Sequence, residues 1–192
     1  MEVSIIDGTG NGKEAQVDAN HRLKIQGQTE TEQVHAAKTG DAYNIHTGAI
    51  TLSAAGTALY VKNNEDRDLV IQGMVVALGT ASTSDSAEVL TYKNITAGDL
   101  LTDATPVDFQ SNRNYGSSTT LTVDAYKGKS AGTVTGDQVG LYYMSASSRM
   151  FAEVNKVLPK GATMGVYVDP KLSSGTVKMY CVFITHLRDA AE

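Results

Sequence analysis

Along most of this 192-residue chain, apolar residues alternate with polar ones in short runs separated by Gly-, Asn- and Ser-rich clusters, which is the period of strands and turns. Ala49-Ile50-Thr51-Leu52 and Ala58-Leu59-Tyr60-Val61-Lys62 lead into the polar turn Asn63-Asn64-Glu65-Asp66-Arg67. The run from Asp68 to Leu78 follows, and together these segments predict a hairpin. Its second arm puts Leu69, Ile71, Val75 and Ala77 on one face and Val70, Met74, Val76 and Leu78 on the other, so both faces need cover. Further strands are expected at Glu88 to Tyr92, Thr120 to Ala125, Val139 to Met144, Phe151 to Val154 and Thr163 to Val168. The last, Thr176 to Thr185, is again apolar on both faces: Tyr180, Val182 and Ile184 oppose Met179, Cys181 and Phe183, as expected of a strand central to a sheet.

Turns spaced about 8 to 12 residues apart, with no long helical pattern between them, predict an all-β chain built as a β-sandwich, with a jelly roll as the expected wiring. That sandwich is expected over residues 42–192. Residues 1–41 are polar and cannot bury much of themselves, so they read as an extended N-terminal arm. Within the arm Arg22-Leu23-Lys24-Ile25-Gln26 alternates like a short strand. Thr29-x-x-Glu32 ahead of Val34, Ala36 and Ala37 reads as a capping box opening one or two helical turns, with Gly40 just past their end.

Composition narrows the function classes. Lys and Arg total 16 against 21 Asp and Glu, a formal charge of -5, so the chain lacks the basic excess that nucleic-acid binding requires. No apolar run approaches the roughly 20 residues that span a bilayer, and the start has no basic segment before an apolar stretch. The expectation is a soluble protein made in a reducing cytoplasm, with no nucleic-acid or membrane partner. The one cysteine, Cys181, excludes an intrachain disulfide and reads as a small buried core residue.

Few residues stand in a pattern that suggests chemistry. Gly8-Thr9-Gly10-Asn11-Gly12-Lys13-Glu14 lacks the spacer of a phosphate loop and has Glu14 where a magnesium-binding hydroxyl should stand. His21, His35, His46 and His186 show no zinc spacing, and His46 reads as a turn or surface residue. Glu65-Asp66-Arg67-Asp68 reads as a solvated hairpin tip without the spacing of a calcium loop. The carboxylates are dispersed, no Ser lies in Gly-x-Ser-x-Gly, and there is no Trp. The reading is therefore of no catalytic residue, no cofactor and no metal. A glycan hydrolase whose paired carboxylates come from distant positions stays open as an alternative.

Several stretches resemble small virion structural proteins of tailed bacteriophages, capsid decoration (cement) proteins among them. They are Val17 to Lys24, Ala42 to Gly48, Leu59 to Asp66, Asn112 to Ser118, Tyr126-Lys127-Gly128 and Leu158 to Ala162. The resemblance is one of texture and order and covers most of the chain. It implies a jelly-roll-like sandwich, commonly a homotrimer, seated on the outer surface of the virion's coat lattice with the major capsid protein as partner. Arg22, Leu23, Lys24, Ile25 and Gln26 are then the expected capsid-contact strand. A tail-tip or host-recognition protein, binding glycans through the loops around Ser82 to Ser86 and Ser111 to Ser118, is the rival reading.

Overall fold

The computed structural model describes residues 16–17, 23–24, 31–79, 86–102, 105–107, 109–145, 147–172 and 174–189; at 16, 17, 23, 24, 100 and 109 it describes the backbone alone. The chain divides into two compact units, Met1–Thr31 and Glu32–Glu192. In the first, β1 (Gln16–Val17) pairs antiparallel with β2 (Leu23–Lys24), Gln16 opposite Lys24.

The second unit opens with helix α1 (Glu32–Thr39), followed by strands β3 (Ala42–His46), β4 (Ile50–Leu52), β5 (Gly56–Asn63), β6 (Asp68–Leu78) and β7 (Ser86–Gly98). A four-residue helix α2 (Asp99–Thr102) precedes β8 (Thr105–Pro106), β9 (Phe109–Asn112) and β10 (Val123–Ser130). The chain closes with β11 (Val134–Ser145), β12 (Arg149–Leu158), β13 (Thr163–Asp169) and β14 (Val177–Arg188). The expected helix is thus present, and Gly40 takes the left-handed conformation (φ +86°) that a terminating glycine supplies. The Asp41 amide closes the end by donating to the Ala36 carbonyl at 2.7 Å. Thr29 of the expected capping box lies outside the described residues.

All strand pairs are antiparallel, and the larger unit is an all-β sandwich of two sheets. One runs β11-β7-β13-β5-β10-β8; the other runs β12-β6-β14-β3-β9, with β4 also pairing with β14. The final strand is central, flanked by β6 on one side and by β3 and β4 on the other. Between the sheets lies a continuous core: Tyr43, Ile45, Leu69, Ile71, Met74, Val76, Cys181 and Phe183 from one layer, and Leu59, Val61, Val89, Val166 and Val168 from the other. Each fully buried aliphatic of this kind contributes roughly 1.5–3 kcal/mol, so the core is what holds the layers together.

Three expectations need correction. β5 and β6 do not form a hairpin; they lie in different sheets, and the segment between them crosses the roughly 10 Å layer spacing. Asn63, fully buried, shapes this corner by donating to the carbonyls of Arg67 and Leu158 while accepting from the Glu65 amide. The faces of β6 also change phase part-way: the core takes Leu69 and Ile71, then Met74, Val76 and Leu78. Register shifts against both neighbours fall at Gln72, where strict alternation breaks. Finally, α1 packs on β3 and β14, so residues 32–41 belong with the sandwich, ten residues before the expected arm boundary.

Candidate assembly interface

Among the described residues, the two sheets end on one side in long strands, β11 and β12, each paired along one edge only. At the other end of each sheet the last strands are short, two residues in β8 and four in β9. A long edge with unpaired backbone groups is a template for another chain. Here the side chains reinforce it. On β11, Leu141 and Tyr143 point away from the core and are 44% and 69% exposed, while the alternate Tyr142 and Met144 pack inward. Val139 sits at a bulge between Gln138 and Gly140, and with Val157 of β12 it lines a groove between the two edges.

The second apolar faces, which need cover, are partly covered by the chain itself. On the outer side of β14, His186 and Val182 are buried, Ile184 is half-buried and Tyr180 is the most exposed. Helix α1 does much of this covering: Ala36 is buried, Gln72 donates to Gln33 at 2.9 Å, and Glu32 lies within ion-pair range of His186 and Arg188. Burial pulls the His186 imidazole below its ordinary value of 6.5, against the opposing pull of Glu32.

The loop over residues 112–119 is an ordered cap on the end of α1. Asn114 donates to the Lys38 carbonyl and Asn112 to the Gly40 carbonyl, and Asn112 and Asn114 each accept a backbone amide two residues on. Tyr115 stands almost fully exposed at its tip. These asparagines satisfy carbonyls that a helix end otherwise leaves unpaired.

Other singled-out residues resolve into structural roles. Of the expected solvated tip only Asp66 is exposed; Glu65, Asp66, Arg67 and Asp68 bind the Thr122 amide, Lys160, Asp41 and Arg188 respectively, tying the corner to four separate segments. Cys181 is fully buried, and desolvation pushes its thiol far up. His46 ends β3, half-buried rather than in a turn, with its ring 5.8 Å from that of Tyr180. Glu88 and Asp169 do converge, but on Lys171, whose ammonium lies 2.9 Å and 2.6 Å from them. Among the described residues no group of three His, Cys, Asp or Glu side chains is placed to hold a metal, and no helix is long and apolar enough to cross a membrane.

Of the expected contact strand, Leu23 and Lys24 form β2, while Arg22, Ile25 and Gln26 lie outside the described residues. So do the Gly8–Glu14 segment, His21 and positions 80–85 of the loop around Ser82 to Ser86. No protein-family model matches the chain, and a search of curated proteins returns no match.

Proposed function

We propose that this chain is a non-enzymatic structural protein of a phage virion, a capsid decoration protein that binds the assembled coat lattice and stabilises it. The observation that carries the reading is the β11/β12 side of the sandwich, where two long open edges display Val139, Leu141, Tyr143 and Val157 together. A monomer gains nothing from leaving those groups in water; a homotrimer in which each copy covers the next one's edge does.

The wiring supports the same reading. Taking the longest strands alone, one sheet has the order β12-β6-β14-β3 and the other β11-β7-β13-β5. The links β6 to β7, β11 to β12 and β13 to β14 each pass from one sheet to the other, as does β3 to β5 by way of β4. This order favours the jelly-roll reading of the sandwich, an architecture used by viral coat and lectin domains. In the proposed particle, residues 1–31 reach along the major capsid protein, with Arg22 to Gln26 adding as a strand. Ordering such an arm costs about 1–2 kcal/mol per residue, which backbone pairing along its length must offset. Binding the closed lattice and not its free subunits shifts the equilibrium away from disassembly.

The test is location and stoichiometry in purified particles, by quantitative mass spectrometry and cryo-electron microscopy. Many copies distributed over the head are expected. A few copies confined to the tail would replace this reading with host recognition, for which the exposed Tyr115 on its hydrogen-bonded loop is the favouring observation.

A further inference from the structure

A second surface, separate from the β11/β12 edge groove, has the composition of a sugar-binding site. It is an open cleft of about 360 Å³ on the outer face of the β14 sheet, lined by Gln33 of α1, Gln72 and Gly73 of β6, Phe151, Glu153 and Asn155 of β12, and Ile184 of β14. That size is within the range of small-ligand pockets.

Three features mark it as built. First, the register shifts of β6 against β14 and against β12 coincide here: Gly73 pairs with Ile184 and Glu153, Ile71 with Thr185 and Lys156, and Gln72 with neither strand. A bulge is the usual device for re-aiming a side chain in a sheet. Asn155, in the corresponding bulge of β12, has a φ of +46°, a conformation costly for a side-chain-bearing residue and better tolerated by Asn than by most.

Second, the cleft holds unused hydrogen-bonding capacity. Gln72 spends its amide nitrogen on Gln33, while its Oε1 is buried without a hydrogen-bond partner. That oxygen is shut off from the cleft itself, whereas Glu153 and Asn155 present exposed side chains to it, and theirs are the polar groups a ligand can reach. Third, Phe151 is 59% exposed, with its ring lying against Gly73; a Cβ at Gly73 would stand 2.9 Å from the ring's Cε2, so the glycine makes room for it.

An exposed aromatic ring beside two amides, an Asn and a carboxylate is the chemistry that recognises a neutral saccharide. The ring covers the apolar C–H face of the sugar, and the polar groups take its hydroxyls in pairs. We propose that this cleft binds a neutral hexose or N-acetylhexosamine unit of a polysaccharide, with Phe151 as the stacking platform and Glu153 and Asn155 as hydroxyl partners.

The test is titration of the full chain, followed by ¹H–¹⁵N NMR, with glucose, galactose, mannose and N-acetylglucosamine and short oligomers of each. Saturable shifts of the Gly73, Asn155 and Ile184 amides with at least one of these sugars are expected. Glu153→Gln and Asn155→Gly, the second keeping a residue at ease with positive φ, should each weaken binding about tenfold with the spectrum otherwise unchanged. Phe151→Leu should weaken it further. No response at these amides to any sugar would overturn the proposal. So would shifts centred on residues 111–118, or a response that survives both polar substitutions.

Discussion

Asn63 shows how much of this fold rests on single polar side chains. It is fully buried at the corner where the chain leaves one sheet for the other, and its three hydrogen bonds satisfy two carbonyls and one amide that have moved out of regular pairing. Asn63→Ala removes all three and leaves the Leu158 carbonyl buried, so a loss of roughly 2–4 kcal/mol is expected in urea unfolding. Asn63→Asp should cost at least as much, because it replaces the donating amide with a charge facing two carbonyls. Near neutral pH, His186 links stability to pH. Burial lowers its proton affinity in the folded state, so the unfolded chain binds the proton more tightly. Stability is then intact above the ordinary value of 6.5 and declines as pH falls below it, an effect to which His46, lowered by burial and by Lys127, adds. His186→Gln should flatten that decline in denaturation midpoints measured from pH 7.5 to 5; an unchanged slope would place the effect elsewhere.

At the scale of elements, helix α1 decides how the N-terminal region must be studied. Removing residues 2–41 strips α1 from β3 and β14, removes the partner of Arg67 and frees the asparagine-rich loop that caps the helix. A truncation of residues 2–31 leaves all of these in place. The shorter deletion is expected to keep the full chain's unfolding midpoint in its larger unit and the longer one to lower it, which differential scanning calorimetry resolves. Only the shorter one therefore tests the proposed capsid binding by residues 1–31 cleanly. The helix itself was legible from Glu32, the alanines and Gly40, because capping chemistry is local. That it belongs to the sandwich was not, because α1 offers the core only one small buried residue, Ala36, and docks through polar contacts made by Glu32 and Gln33. Most of the long strands were legible from apolar runs, and the central place of β14 from its two apolar faces; β3, β8 and β9 were not, and β10 runs over Val123–Ser130 where Thr120 to Ala125 was expected. The β5 to β6 crossing was not, since the same polar turn suits a hairpin or a change of sheet and the choice rests on Leu158, 95 residues from Asn63. The phase change at Gln72 was equally hidden, a bulge being a property of three paired strands.

For the molecule as a whole, the proposed edge surface and the proposed sugar cleft make separable demands. Leu141 and Tyr143 are exposed and contribute little to the folded monomer, so Leu141→Lys with Tyr143→Lys should change monomer stability by about 0.5 kcal/mol or less at each position. Two lysines on an open edge strand are, however, a strong obstacle to pairing with another copy. Sedimentation velocity is therefore expected to show the unmodified chain as an oligomer and the double variant as a monomer with the same unfolding midpoint. Neither substituted residue lines the cleft that contains Phe151 and Gln72, so sugar-induced shifts there should persist in the monomer. An unmodified chain that is monomeric at high concentration, with capsids still saturated by the double variant, would remove the edge from the mechanism. Capsid attachment would then have to come from residues 1–31 or from the Tyr115 loop.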